Sequence, residues 1–126
     1  IIGNVVYCTD RSWEEAMQII KSSSVVVVPS RMESLPTTVK EAFYLNVPVI
    51  ATNVGGIPEL IKNNETGILV PPENPSKLAQ AVNELLSNRE KAKELATNGN
   101  TFVKNHMTWD VILPKYIQFY EDLLKD

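Results

Sequence analysis

The stretch Val25 to Glu41, VVVVPSRMESLPTTVKE, constrains this chain more than any other. Val25 to Val28 is a run of β-branched residues with no polar alternation, the pattern of a parallel strand buried on both faces. Pro29 ends the run, and residues 30 to 36 form a polar loop carrying Glu33. Pro36-Thr37-Thr38 then reads as a helix start, with Glu41 about one turn inside. A strand feeding a loop and then a helix N-terminus is the place where open α/β sheets bind ligands. The free N–H groups and the positive end of the helix dipole there favour a phosphate or another anion.

Two carboxylates beside such an anion site require a partner other than the phosphate itself. A carboxylate has two acceptor oxygens and holds a vicinal diol in bidentate fashion. Sugars and riboses carry such diols, so the chemistry describes a phosphate flanked by two polyols, a nucleotide-sugar. Spacing alone carries little: Glu65 and Glu73 stand as far apart as Glu33 and Glu41. An isolated Glu is usually solvated surface. The strand before Glu33 and the helix start before Glu41 are what give this pair its meaning.

The pattern PS-x-x-E-S-L-P-T-T-V-x-E-A is followed in order by L-N-V-PVIAT, V-GG-IPE and TGILVPP. In order and rough spacing it resembles the retaining glycosyltransferases of family 4, GT-B enzymes with two Rossmann-like domains, over residues 5 to 124. The resemblance implies the later part of a C-terminal, donor-binding domain, truncated on its N-terminal side, with residues 1 to 126 as one domain. It places the E-x7-E pair at Glu33 and Glu41. Glu33 would contact the transferred sugar as the catalytic residue, and Glu41 the ribose diol. The segment Ser34, Leu35, Pro36, Thr37 and Thr38 would meet the sugar and diphosphate through its backbone, and Thr9 and Asp10 would lie near the base. For Asp10 an ordinary Asx-type turn is an equal reading.

The resemblance implies no obligatory metal and no cofactor beyond the donor. It implies a partner acceptor domain in the same polypeptide, and an Arg and a Lys on the diphosphate that lie upstream of this chain; Arg31 and Lys40 do not match them. The chain departs from the commoner pattern at several places. Ser34-Leu35-Pro36 stands where many members have Gly-Phe-Gly, Pro36 has no N–H to donate, and Val47 and Cys8 each replace a frequent glycine. Two rival functions remain open on the residues alone: a nucleotide-sugar epimerase, and a non-catalytic sugar-nucleotide binding module.

The 126 residues suffice for a single core. A hydrophobic share of 44% and a charged share of 21% are ordinary for a globular chain. The net charge of −3 and the lack of a basic stripe argue against a nucleic-acid partner. The one cysteine, Cys8, cannot form an internal disulfide and is expected to be a buried small hydrophobe. His106 has no Cys or His at ligand spacing and is assigned no metal. No apolar run approaches the roughly 18 residues of a membrane span. The chain opens on Ile1 within a strand-like stretch, which reads as a cut, and the expected location is the cytoplasm, at or near the inner face of the membrane.

The pattern predicts strands over Asn4 to Cys8, Val25 to Val28, Pro48 to Thr52 and Gly67 to Val70: a Rossmann-like parallel sheet of about four strands. Ser12 is expected to cap a helix to about Ser22 with Trp13, Ala16, Met17 and Ile20 buried. Further helices are expected from about Thr37 to Leu45 and, as a short turn, from Glu59 to Ile61. Another should start at Asn74-Pro75 with Leu78, Val82, Leu85 and Leu86 inward. One capped by Asn88 and carrying Ala92, Leu95 and Ala96 is expected to be interrupted at Gly99-Asn100. After Thr108, a turn and a kink at Pro114 should precede a last helix to Leu124, with Ile112, Tyr116, Phe119, Tyr120 and Leu123 as its apolar stripe. The loop Asn53 to Glu59 carries Gly55-Gly56, either an ordinary turn or a backbone that approaches the donor. If Asn4 to Cys8 is strand 3 and Val25 to Val28 strand 4 of the order 3-2-1-4-5-6, the latter has a bare inner edge. The first strand moving beside it, or a homodimer or strand exchange across it, would relieve that edge.

Overall fold

The computed structural model describes residues 3–125. In chain order the elements are α1 (Trp13–Ser22), β1 (Val26–Val28), α2 (Thr37–Tyr44), β2 (Val49–Thr52), α3 (Ile57–Leu60), β3 (Ile68–Val70), α4 (Pro75–Ser87), α5 (Arg89–His106) and α6 (Trp109–Leu123). The strands form a parallel sheet in the order β1-β2-β3, with Val27 opposite Ile50 and Ala51 opposite Leu69. Its central strand explains the unbroken apolar run PVIAT. Val49 and Ala51 belong to a core built mainly with α2, α3 and α5, whereas Ile50 belongs to a second core with Ala81 and Leu85 of α4 and Leu95 of α5. Alternate side chains of one strand thus enter two layers, and all four residues of β2 are buried.

The expected strand over Asn4 to Cys8 does not form. Residues 3–9 are irregular and exposed, with Val5 77%, Val6 76% and Tyr7 87% accessible. A strand gains its hydrogen bonds only from a neighbour, and this segment does not move beside β1, which stays at the sheet edge. Among the described residues the sheet accordingly has three strands rather than four. Cys8, expected to be buried, is exposed for the same reason.

α1 begins as expected. The Ser12 Oγ accepts from the Glu15 N–H while the Glu15 carboxylate accepts from the Ser12 N–H, a complete capping box. Its apolar face is only half covered, however: Ala16, Met17 and Ile20 are half-buried and Trp13 is 64% exposed. In α4 the inward residues are Ala81 and Leu85, with Leu78 and Val82 half-buried. Leu86, expected inside, is half exposed. Asn74 caps α4 and Asn88 caps α5, each through its side-chain oxygen at 3.0 Å from the N–H three residues on.

α5 is not interrupted at Gly99 and Asn100. Gly99 lies against the ring of Phe43 in α2, where a Cβ would stand 2.5 Å from Phe43 Cδ1. Asn100 Nδ2 donates to the carbonyls of Phe43 and Tyr44 at 3.0 and 2.8 Å, satisfying the open C-terminal end of α2. The helix breaker is a contact residue that lets two helices approach. Gly99→Ala gains helix propensity of about 1 kcal/mol, but overpacking against a fully buried ring costs about 1–3 kcal/mol. The expected net result is a modest fall in thermal stability, with Gly99→Val falling further. A rise in Tm for both variants in a melting experiment would refute the contact.

The predicted break at Pro114 is also absent: α6 runs through it. Pro114 is its sixth residue, so the missing N–H removes one bond at the start of the ladder and leaves the following turns intact. Thr108 stands at its N-cap without accepting from the helix, its hydroxyl donating instead to the Lys104 carbonyl at 3.3 Å. Ile112 is half-buried, while Tyr116, Phe119, Tyr120 and Leu123 are exposed. No helix of the described residues is long and apolar enough to cross a membrane.

Candidate functional site

β1 and β2 end side by side, and the loops leaving them are bound to one another. Thr52, the last residue of β2, is 4% exposed and turns its hydroxyl across to the loop after β1, donating to the Ser30 carbonyl at 2.5 Å and lying 3.4 Å from that of Val28. The Ser30 hydroxyl in turn donates to Glu33 Oε1 at 3.3 Å. A short chain of hydrogen bonds therefore leads from the sheet to the half-buried Glu33 carboxylate.

The diglycine loop closes on the same segment from the other side. The Gly56 N–H donates to the Ser34 carbonyl at 2.8 Å, and Gly55 takes φ +53°, a left-handed conformation that costs glycine nothing sterically. A Cβ on Gly55 would collide with the Glu33 carbonyl oxygen, and one on Gly56 with that of Ser34. Both glycines are thus required by backbone-to-backbone packing that holds Glu33 and Ser34. Sequence reasoning picked out the glycines as a turn or a donor contact; it missed Ser30 and Thr52. A threonine closing a buried strand next to the candidate loop was the available signal.

Pro36 is the N-cap of α2, and its missing N–H is no loss at a position whose φ of −64° suits the ring. No side chain caps α2 and no acidic residue lies in its first turn, whereas α1, α4 and α5 are each capped by a side chain. The amides that open α2, following Ser34, Leu35 and Pro36 and beginning with Thr37 and Thr38, keep their donors available. Thr37 and Thr38 are exposed at that end, and Pro36 is buried beneath it. Glu41 follows one turn later on α2, half-buried. Its Oε1 accepts from the indole N–H of Trp13 at 3.4 Å, which ties α2 to α1.

The remaining predicted positions lie apart from this nucleus. Thr9 and Asp10 are exposed on the segment leading into α1, and Asp10 has φ 56°, a turn conformation that Asp tolerates. Arg31 is exposed and ion-paired with Glu73 at 3.6 Å, turned to the β3 side of the loop. Lys40 lines a cavity of about 490 Å³ together with Trp13, Glu41 and Trp109.

Comparison with known proteins converges on one family. Residues 1–102 match the family model described as glycosyl transferases group 1. A GDP-mannose-dependent α-(1-6)-phosphatidylinositol monomannoside mannosyltransferase of Mycobacterium tuberculosis is 36% identical over 88 residues, 70% of this chain and 23% of its own length. Sucrose-phosphate synthase from Thermosynechococcus elongatus superposes with a TM-score of 0.82 at 34% identity, covering 88% of this chain and 28% of that one. The C-terminal domain of a group 1 glycosyl transferase from Francisella tularensis superposes with a TM-score of 0.71 at 28% identity, covering 80% of this chain and 51% of that one. The chain spans 32%, 27% and 23% of the length of three curated relatives that it matches. With four-fifths of its residues inside the family model and a parallel α/β sheet superposing on glycosyltransferase structures, the chain belongs to the group 1 glycosyl transferases.

Proposed function

We propose that this chain is the donor-binding part of a retaining GT-B glycosyltransferase of family 4, which moves a hexose from a nucleoside diphosphate sugar to an acceptor held by another domain of the same polypeptide. The observation that carries the reading is the helix start of α2. Its N-terminus is left without a side-chain cap at the carboxyl edge of a parallel sheet, with a half-buried carboxylate in the loop before it and another one turn inside. The open amides and the helix dipole suit the diphosphate, and no obligatory metal is needed to hold it. Glu41 takes the ribose diol, and Glu33, held from both sides by backbone and hydroxyl contacts, takes the transferred sugar. Gly55 and Gly56 border the donor while holding that loop, and Thr9 and Asp10 lie towards the base.

The mannosyltransferase relative named above is GDP-mannose-dependent, which supports a nucleotide-sugar as the donor class. Work at the cytoplasmic face of a membrane, without a nucleic-acid partner, belongs to the same reading. Among the described residues the free edge of β1 has no strand beside it; it suits a further strand of the polypeptide, or a homodimer by strand exchange.

A radiolabelled nucleotide-sugar given to the full-length polypeptide tests the reading. Label appearing on an acceptor with retained anomeric configuration is the expected result. Epimerised donor would support the epimerase alternative, and unchanged donor with measurable binding the non-catalytic module. The 126 residues alone are expected to give no transfer, since they form one wall of a cleft that closure must complete.

A further inference from the structure

We infer that Trp13 is the stacking platform for the nucleobase of the donor, an assignment that rests on the nucleoside diphosphate reading of Glu41. Trp13 opens α1, and its indole is 64% exposed although an apolar side chain of this size is normally covered. Its position is nevertheless defined, because the indole N–H donates to Glu41 Oε1 at 3.4 Å across the α1–α2 interface. The ring therefore lies beside the carboxylate proposed to hold the ribose, and leaves the other carboxylate oxygen unengaged by it.

In a nucleoside the base hangs from the ribose carbon next to the one that bears the 2′-hydroxyl. A ribose whose diol sits on Glu41 therefore carries its base to a position within one ring's breadth of that carboxylate. The Trp13 indole occupies such a position. The surrounding cavity of about 490 Å³ is lined by Met17, Tyr44, Met107 and Trp109 as well, so it offers a flat base an aromatic and thioether wall, with Lys40, Thr108 and Asp110 as polar groups at the same cavity. Base-on-aromatic stacking tolerates any base, since every base has a π face. Thr9 and Asp10, immediately upstream of α1, place polar groups on the approach to the same ring.

Calorimetric titration of the full-length polypeptide with UDP, GDP and inorganic pyrophosphate, on wild type, Trp13→Ala, Trp13→Phe and Glu41→Gln, tests the assignment. Trp13→Ala should weaken UDP and GDP roughly tenfold or more and leave pyrophosphate unchanged. Trp13→Phe, which keeps a ring and loses the N–H, should retain most of the affinity. Because Trp13 is exposed, Trp13→Ala is expected to fold. Equal nucleotide affinity for Trp13→Ala and wild type, with Glu41→Gln still weakened, would overturn the platform and leave the donor reading standing. That would mark the cavity as a packing surface for another part of the polypeptide. Equal losses with Ala and Phe would also overturn stacking, since the N–H alone would then account for the effect. Failure of wild type to bind either nucleotide would remove the donor reading and the platform together.

Discussion

Gly55→Ala should cost about 2–5 kcal/mol of stability and most of the donor affinity. The new methyl group would be forced into the Glu33 carbonyl oxygen, at a position already held at φ +53°. The left-handed conformation costs a non-glycine residue about 1–2 kcal/mol, and overpacking adds about 1–3 kcal/mol. The clash is with backbone rather than with the flexible tip of a side chain, so the relief is a movement of the loop itself. Glu33 and Ser34 move with it, and the Gly56 N–H loses the Ser34 carbonyl. Thermal melting and a donor titration of Gly55→Ala, set beside the exposed neighbour Glu59→Ala, measure both effects. A melting temperature and donor affinity for Gly55→Ala equal to those of Glu59→Ala would mean that the two loops are not packed as described.

Glu41→Gln should weaken nucleoside diphosphate binding by about 1–3 kcal/mol, as for a charge-assisted hydrogen bond lost in a partly dry site. Glu33→Gln should leave the nucleoside diphosphate nearly unaffected and weaken only the sugar-bearing donor. The distinction follows from position: Glu41 stands on α2 beyond the helix start, next to Trp13, whereas Glu33 lies in the loop before it, held by Ser30. Calorimetry with a nucleoside diphosphate and with its sugar conjugate separates the two roles. Equal losses for both ligands in both variants would show that the carboxylates do not divide the ligand between ribose and sugar.

Much of this architecture was legible in local patterns. Unbroken β-branched and apolar runs marked β1 and β2, although only β2 is buried throughout and β1, at the sheet edge, is half-buried at Val26 and Val27; Ser12, Asn74 and Asn88 marked helix starts because their side chains satisfy amides within the same turn. Such signals depend on residues a few positions apart, so they are determined by the sequence itself. The motif around Glu33 and Glu41 was legible for the same reason, since strand, loop and helix start are contiguous.

What depended on partners distant in the chain was not legible. Residues 4–8 have the composition of a strand, yet a strand is made by its neighbour, and none of the described residues pairs with them. Gly99 and Pro114 have the intrinsic preferences of helix breakers; Phe43 turned the first into a close-packing site, and an early position in α6 limited the cost of the second. The Thr52 hydroxyl on the Ser30 carbonyl and the Trp13 indole on Glu41 link residues 22 and 28 positions apart. The sequence by itself determined β1, β2, β3 and the capped helix starts, whose signals lie within a few residues of one another. Only the tertiary structure decided what holds each carboxylate in place, because those contacts are made by side chains and glycines that the sheet and helix packing bring in from elsewhere.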